Sequence, residues 1–447
     1  MNRRKFTIIL ILSIINIPLT IFFTRFIHTQ LSHITYFEIV VNKQVLLLFF
    51  LIYFLIEIII IAVFGIGSRN VYQSGTVNVT DKIKTPARVG QGQYGTARWL
   101  TKKEYQKYFK SNILTDKTEQ FKSGGVIVGY DKKREKEKMY YINDNIHTLV
   151  VGATRSGKTR SIVLQTIGNL ALAGESMIIS DPKSELFEYT SDYLKSLGYK
   201  VIAIDFKNPK KSDRYNYLQP VIDAVNRGDF RKAEEYAWDI TQSLVGDEET
   251  KMEKIWKDGE MSVIAGAIMS VVFDNREHPE YQNLTNVFSF IAEMCLTKAQ
   301  TMPLNKYIEN LSPDHPSSKI FSIARIAPEK TRGSFFTSAL ATLKLFTNQS
   351  VYGMSYTSDF DLKVLGEQKT AIYLIVSDEK TTYYSIASLF VYQNYVALVE
   401  SADSRGGELK VRVNYVLDEF GNFTTIPSFS NMLTVAGGRR IRFNLFL

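Results

Sequence analysis

Apolar residues crowd the first 66 positions and thin out afterwards. FTIILILSIINIPLTIFF (Phe6–Phe23) and VLLLFFLIYFLIEIIIIAVFGI (Val45–Ile66) are each long enough to cross a bilayer as a helix. The first run is long and no small-x-small cleavage site follows it, so it reads as an anchor rather than a removed leader. Arg3, Arg4 and Lys5 precede it, and a lysine-rich stretch follows Ile66, so both flanks belong on the cytoplasmic side. Thr24 to Gln44 is then a short loop on the outside. Glu57 interrupts the second span, where an ionisable residue is costly. A functional carboxylate and a protonated or intersubunit hydrogen-bonded one are both open.

Beyond residue 69 the pattern changes. GGVIVGY, HTLVV, SMIISD and KVIAIDF are short apolar runs separated by helical segments, which predicts a mainly parallel sheet covered by helices. From Val221 to Pro328 the strand signal fades. In DFRKAEEYAWDITQSLV, the residues Phe230, Ala233, Ala237, Ile240 and Leu244 recur at helical spacing, with Asp229 placed to cap the N-terminus. IWKDGEMSVIAGAIMSVVF reads as a more fully buried helix. TNVFSFIAEMCL reads as a third, with Thr285 as its cap. Strand runs return in TAIYLIVSD (Thr370–Asp378) and VRVNYVLDEF (Val411–Phe420). The expected organisation is a membrane anchor over 1–68, then an α/β domain in two parts, 69–220 and 329–447, split by an all-helical insertion at 221–328.

Charge and cysteine usage refine this picture. Residues 69–140 carry sixteen Lys and Arg against seven Asp and Glu, an excess of nine that equals the net charge of the whole chain. Such a stretch beside a membrane either attracts anionic lipid or nucleic acid, or serves as topology signal and solvated surface. DKKREKEK (Asp131–Lys138) reads as a hairpin tip of mixed sign. Cys295 is the only cysteine, so no intrachain disulfide is possible, and the five histidines do not cluster as structural zinc would need. Within VFSFIAEMCL, Cys295 reads as a small buried hydrophobe.

The chemistry is concentrated in HTLVVGATRSGKTRSIVLQTIGN. Gly152, Ala153, Thr154, Arg155, Ser156, Gly157, Lys158 and Thr159 fit G-x-x-x-x-G-K-[ST] between an apolar run and a helix-like pattern. Glycines there let backbone N–H groups converge on phosphate, and the helix N-terminus adds its positive dipole end. Lys158 is placed to reach the β/γ-phosphates of ATP, and the Thr159 hydroxyl to ligate Mg²⁺. VNYVLDEF supplies the acidic partner, with Asp418 as a second Mg²⁺ ligand and Glu419 to orient or deprotonate water. SMIISDPKSEL puts Asp181, Lys183 and Glu185 at another strand exit, where ligand contacts gather in a doubly wound sheet.

Two apolar spans, GTARWL, GATRSGKT, DPKSEL, RYNYLQP, a helical insertion and VLDEFGN occur in that order. The chain thereby resembles the TraG/TraD-type coupling proteins of conjugation and type IV secretion. Where the family pattern has DPKGEL, this chain has Ser184 at the glycine position. The resemblance implies a RecA-like P-loop NTPase fold and a multi-pass cell-membrane ATPase with its N-terminus and motor in the cytoplasm. It further implies homo-hexamers around a DNA channel, with relaxase-bound single-stranded DNA and the type IV secretion channel as partners. The helical insertion would face the substrate. In the family the strand near Ile441 leads into a γ-phosphate-sensing glutamine and further core elements, so the resemblance implies a C-terminally truncated motor. Arg439 and Arg440 are either arginine fingers acting across a subunit interface or surface charges. Alternatives are an FtsK-type DNA translocase and a nucleotide-binding receptor or scaffold that does not pump.

Overall fold

The structure, a computed structural model, describes residues 3–32, 43–60, 76–78, 84–86, 100–115, 118, 120–133, 136–153, 155–246, 254–296, 302–377 and 381–447. Two compact units divide the chain, Met1–Thr101 and Lys102–Leu447.

In the first unit, helices Arg3–Ser32 and Lys43–Ile60 pack on each other, and both are long and apolar enough to cross a membrane. Residues 61–66 of the second expected span lie outside the described residues. The first helix runs on to Ser32, so nine residues assigned to the outside loop are helical. No helix breaker stands between Thr24 and Ser32, which lets the backbone bonds continue. Outward positions such as Ile14, Phe22, Leu51 and Ile58 are exposed and apolar, while the contact seam is polar. Glu57 accepts from the Ser13 hydroxyl at 2.5 Å and from Asn16 Nδ2 at 3.3 Å, and Thr20 donates to Asn16 Oδ1 at 3.0 Å. Its carboxylate is thus hydrogen-bonded within the chain, where hydrocarbon would offer no partner. Strands β1 (Thr76–Asn78) and β2 (Lys84–Pro86) pair antiparallel.

The second unit opens with a small antiparallel sheet of β3 (Lys110–Leu114), β4 (Val126–Lys133) and β5 (Lys136–Ile142), in the order β3-β5-β4. GGVIVGY therefore belongs here and not to the parallel sheet, because a short apolar run carries no information on strand direction. Gly125 is required at its start: a Cβ there would lie 1.7 Å from the Ile142 carbonyl oxygen. The described residues of DKKREKEK pair antiparallel at the ends of β4 and β5, with Lys133 opposite Lys136, and Arg134 and Glu135 lie outside the described residues.

The main sheet contains β6 (Thr148–Val150), β7 (Ser176–Ser180), β8 (Lys200–Asp205), β9 (Thr370–Ile375), β10 (Val413–Leu417) and β11 (Ile441–Phe446). All pairings are parallel, in the order β6-β11-β10-β7-β9-β8. Its residues alternate between two cores, as the period of two demands. Ile178, Tyr415 and Phe443 face the large helical block, while Met177, Ile179 and Val416 face helices Leu164–Leu172 and Glu185–Ser196. The apolar run HTLVV does join the parallel sheet, as expected, but it is not buried. β6 is an edge, with Leu149 and Val151 exposed.

Among the described residues from Gln219 to Glu367 the regular elements are all helical. Asp229 caps helix Phe230–Val245 by accepting from Lys232 N at 3.1 Å. Asn283, not Thr285, caps helix Leu284–Met294, accepting from Asn286 N at 3.0 Å, and Thr285 instead bonds the Phe346 carbonyl. The helical run does not stop at Pro328. Helix Glu329–Leu343 packs on Lys254–Asp274, and strands resume only at Thr370. Cys295 is partly buried, and burial pushes its thiol up to about 12.

A charged knot lies under the N-terminal ends of the strands. Glu175, 6% exposed, accepts from Arg442 Nη2, Arg412 Nη1 (3.3 Å), Asn414 Nδ2 (2.9 Å) and Gly124 N (3.2 Å). It joins β7, β10 and β11 to the segment leading into β4.

Candidate nucleotide-binding site

Parallel strands deliver their C-terminal ends to one edge, and the loops there converge. The 152–159 loop leaves β6 and enters a wide π-type turn, Thr159–Val163, that leads into helix Leu164–Leu172. Gly157 takes φ +87°, a conformation that favours glycine. At Gly152 a Cβ would approach the Lys158 side chain to 3.1 Å. Thr154 lies outside the described residues.

Asp418 follows β10 and Asp181 follows β7, and these two strands are neighbours. The adjacency brings together residues far apart in sequence. Thr159 Oγ1 donates to Asp418 Oδ2 at 2.9 Å across 259 residues, and Ser180 Oγ fixes the Asp418 carbonyl at 2.8 Å. Ser180 was not singled out by the sequence, since a serine ending an apolar run is an ordinary strand exit. Glu419 follows in the left-handed region at φ +52°, its N–H on Asp418 Oδ1 at 3.2 Å. Lys158 Nζ donates to the carbonyls of Gly152 (2.5 Å) and Ala153 (3.3 Å).

Lys158, Thr159, Asp181, Asp418 and Glu419 line one cleft of about 450 Å³. Arg155, Lys158, Arg160 and Lys183 supply positive charge, and Asp181, Glu185, Asp418 and Glu419 supply negative. The sequence-derived candidates Asp181, Lys183 and Glu185 thus share the cleft with the phosphate loop and the Asp418–Glu419 pair. Arg439 is not brought there. It sits at the N-terminal end of β11, on the opposite edge of the sheet, and bonds Asp403 at 3.0 Å. Arg440 bonds the Leu409 and Lys410 carbonyls. The Thr159 and Asp418 oxygens form an all-oxygen donor set of the kind a hard divalent cation takes.

Backbone strain collects at this edge. Arg155, Ser184 and Glu419 are all non-glycine residues with positive φ, and all three lie in or beside the cleft. Ser184 has φ +66°, which gives the physical reason for glycine in DPKGEL. Ser184→Gly is expected to raise stability by ~0.5–1 kcal/mol. A lowered thermal midpoint in that variant would mean that the serine side chain contributes more than its backbone costs.

Burial lifts the Asp181 carboxyl from 3.8 to about 6, against hydrogen bonds from the backbone of Phe187 and Leu186. The native state therefore keeps this proton to higher pH than the unfolded chain, and stability falls as pH rises from about 4 to about 6. Asp181→Asn is expected to be ~2–3 kcal/mol more stable than the parent at about pH 7.5 and equal to it below about pH 4. Thermal melts showing the same gap at both pH values would rule this out. Burial also raises Asp418, opposed by the Thr159 hydroxyl.

Comparison with known proteins supplies the context. A family model described as "Type IV secretory system Conjugative DNA transfer" matches residues 96–446. Conjugal transfer protein TraG of Escherichia coli is 23% identical over 390 residues, which cover 81% of this chain and 59% of TraG. Protein VirD4 of Rhizobium rhizogenes is 24% identical over 302 residues, which cover 66% of this chain and 42% of VirD4. The match thus spans about half the length of these relatives. Among solved structures, the bacterial conjugative coupling protein TrwBdeltaN70 in complex with sulphate aligns with a TM-score of 0.49 and 14% identity, over 68% of this chain and 64% of that one.

Proposed function

The chain belongs to the conjugative DNA-transfer family of type IV secretory systems, and we propose that it is a membrane-anchored ATPase that passes relaxase-bound single-stranded DNA to the secretion channel. The observation that carries this reading is the 2.9 Å contact between Thr159 of the phosphate loop and Asp418 of β10. It places the two residue types that hold Mg²⁺ in P-loop NTPases beside Lys158 and Glu419 in one cleft.

The residues take the following roles. Backbone N–H groups of 152–159 and the Lys158 ammonium bind the phosphates, and Thr159 and Asp418 would hold a magnesium ion, which would supply neutralisation of phosphate charge. Glu419 orients water for in-line attack and accepts its proton. Asp181, Lys183 and Glu185, which line the same cleft, are further candidates for contact with the nucleotide. Helices Arg3–Ser32 and Lys43–Ile60 anchor the chain with its N-terminus and motor in the cytoplasm, in keeping with their exposed apolar surfaces. Assembly into a homo-hexamer would place six such clefts around a DNA path. The family match favours this over an FtsK-type translocase.

The test is ATP hydrolysis by the detergent-purified chain with and without single-stranded DNA. Hydrolysis stimulated at least several-fold by DNA is expected. Nucleotide binding without turnover, or turnover indifferent to DNA, would favour a nucleotide-binding receptor that does not pump.

A further inference from the structure

Arg160 lines the nucleotide cleft and also a second hollow, of about 670 Å³, that opens beside it. This hollow is a groove between helices Leu164–Leu172 and Glu185–Ser196, which pack on each other. Both helices start at the cleft. The first continues from the phosphate loop through the Thr159–Val163 turn, and the second begins at Glu185, which itself lines the cleft. The groove therefore leads away from the phosphate loop along both helices, for on the order of 10 Å by helical rise.

Its walls follow from helical spacing. Leu164 and Gly168 stand four residues apart on one face of the first helix, and Tyr189 and Tyr193 do the same on the second. Tyr189 is 58% exposed and Tyr193 is 42% exposed. The same helix sends Leu186 and Leu194 into the core under the sheet, and neither tyrosine belongs to that cluster. Gly168 leaves the floor of the groove open, because a Cβ there would meet no neighbouring atom within 4 Å. Glycine inside a helix is destabilising relative to alanine, and no packing contact above Gly168 accounts for it.

A phosphate-binding loop holds only one half of a nucleotide. The other half is a flat, largely apolar ring that binds through stacking on aromatic faces. Here two exposed tyrosine rings and the Leu164 side chain lie along a groove continuous with the phosphate end through Arg160. The exposed Gln165 amide at the same groove carries a donor and an acceptor for the edge of a base.

We propose that this groove is the nucleobase subsite, with the base stacked on Tyr189 and Tyr193 over the open floor at Gly168. The inference rests on the nucleotide reading of the cleft and adds the residues that hold the nucleoside half. Tyr189 and Gly168 lie outside the cleft that takes the phosphates, so the two halves can be tested apart.

The experiment is isothermal titration of the full chain in detergent with ADP and, separately, with inorganic pyrophosphate, which has no base. The parent should bind ADP about tenfold or more tighter than pyrophosphate. Tyr189→Ala, at an exposed position, should weaken ADP about tenfold and leave pyrophosphate within about twofold of the parent. Tyr189→Phe keeps the ring and should bind ADP as the parent does. Gly168→Leu puts a side chain into the open groove and should weaken ADP several-fold with pyrophosphate unchanged. A parent that binds both ligands alike overturns the subsite and leaves the phosphate site standing, as does a Tyr189→Ala variant that keeps the full preference for ADP. If that variant keeps the preference but sediments differently, the exposed rings belong to a contact between copies of the chain, and the subsite is again overturned. Equal losses of ADP and pyrophosphate in Tyr189→Ala would mean that the ring only supports the fold, which also overturns it. A parent that binds neither ligand overturns the nucleotide reading and the subsite with it.

Discussion

Lys158→Ala is expected to lower ATP hydrolysis by about 10²–10³-fold while the chain keeps its fold. Lys158 Nζ contacts only the Gly152 and Ala153 carbonyls among the described residues, so truncation removes no buried ion pair. The electrostatic consequence is larger than the structural one. Four cations and four carboxylates line the cleft, and the substitution turns a neutral lining into a net negative one. Affinity for a polyanionic nucleotide should therefore fall. Arg155, Arg160 and Lys183 remain to attract the phosphates, so the loss in binding should be smaller than the loss in turnover. What they cannot replace is a donor aimed at charge developing on the γ-phosphoryl group. Turnover and fluorescent-nucleotide binding, measured side by side, check this. A variant that binds poorly but turns over normally at saturation would assign Lys158 to ground-state attraction alone.

Much of this site was legible before any coordinates. Gly152–Thr159, Asp418 and the DPKSEL segment each announce themselves by local composition, because phosphate binding needs glycines and strand exits at fixed spacing. Their convergence was not legible. It depends on β10 lying beside β7, and nothing local in VRVNYVLDEF specifies its neighbours. The Ser184 departure was visible as a letter, and the φ of +66° supplies its meaning.

The elements that misled did so for definable reasons. GGVIVGY and SMIIS have the same apolar texture, yet one sits in an antiparallel hairpin and the other at the centre of a parallel sheet. Periodicity reports burial, not pairing direction. HTLVV looks like a core strand and is an edge, because exposure there is decided by which strand lies beyond it. The helical block runs on to Glu367, since TRGSFFTSALATLKLF has too even a spread of apolar residues to show a clear face. Arg439 and Arg440, read as arginine fingers across a subunit interface or as surface charges, bond Asp403 and the Leu409 and Lys410 carbonyls within the chain.

Glu175 gives no such signal. A single acid before SMIIS looks like a solvated strand entry, yet Glu175→Ala is expected to destabilise the second unit by about 3–5 kcal/mol. The carboxylate is the counter-charge for two guanidinium groups at once. Arg442 is 2% exposed, and burial already works against its protonation. Removing Glu175 leaves that charge without its ion pair, strands the Gly124 N–H and leaves Asn414 Nδ2 only its longer bond to the Ser176 carbonyl at 3.4 Å. Glu175→Gln separates the two contributions. It keeps the shape and the acceptor oxygen while removing the charge, so it should fall between the parent and Glu175→Ala. Thermal unfolding in detergent reads the outcome, with a midpoint lowered by on the order of 10 °C for the alanine variant. A shift within a degree or two would mean that water replaces the carboxylate, and that the knot registers the strands without holding them together. Because β7, β10 and β11 carry Asp181, Asp418 and the partner strand of the phosphate loop, a large shift should bring a weaker grip on nucleotide with it. The alanine variant should lose nucleotide affinity at temperatures below its own midpoint, as loosening at the strands' N-terminal ends reaches the cleft at their other ends.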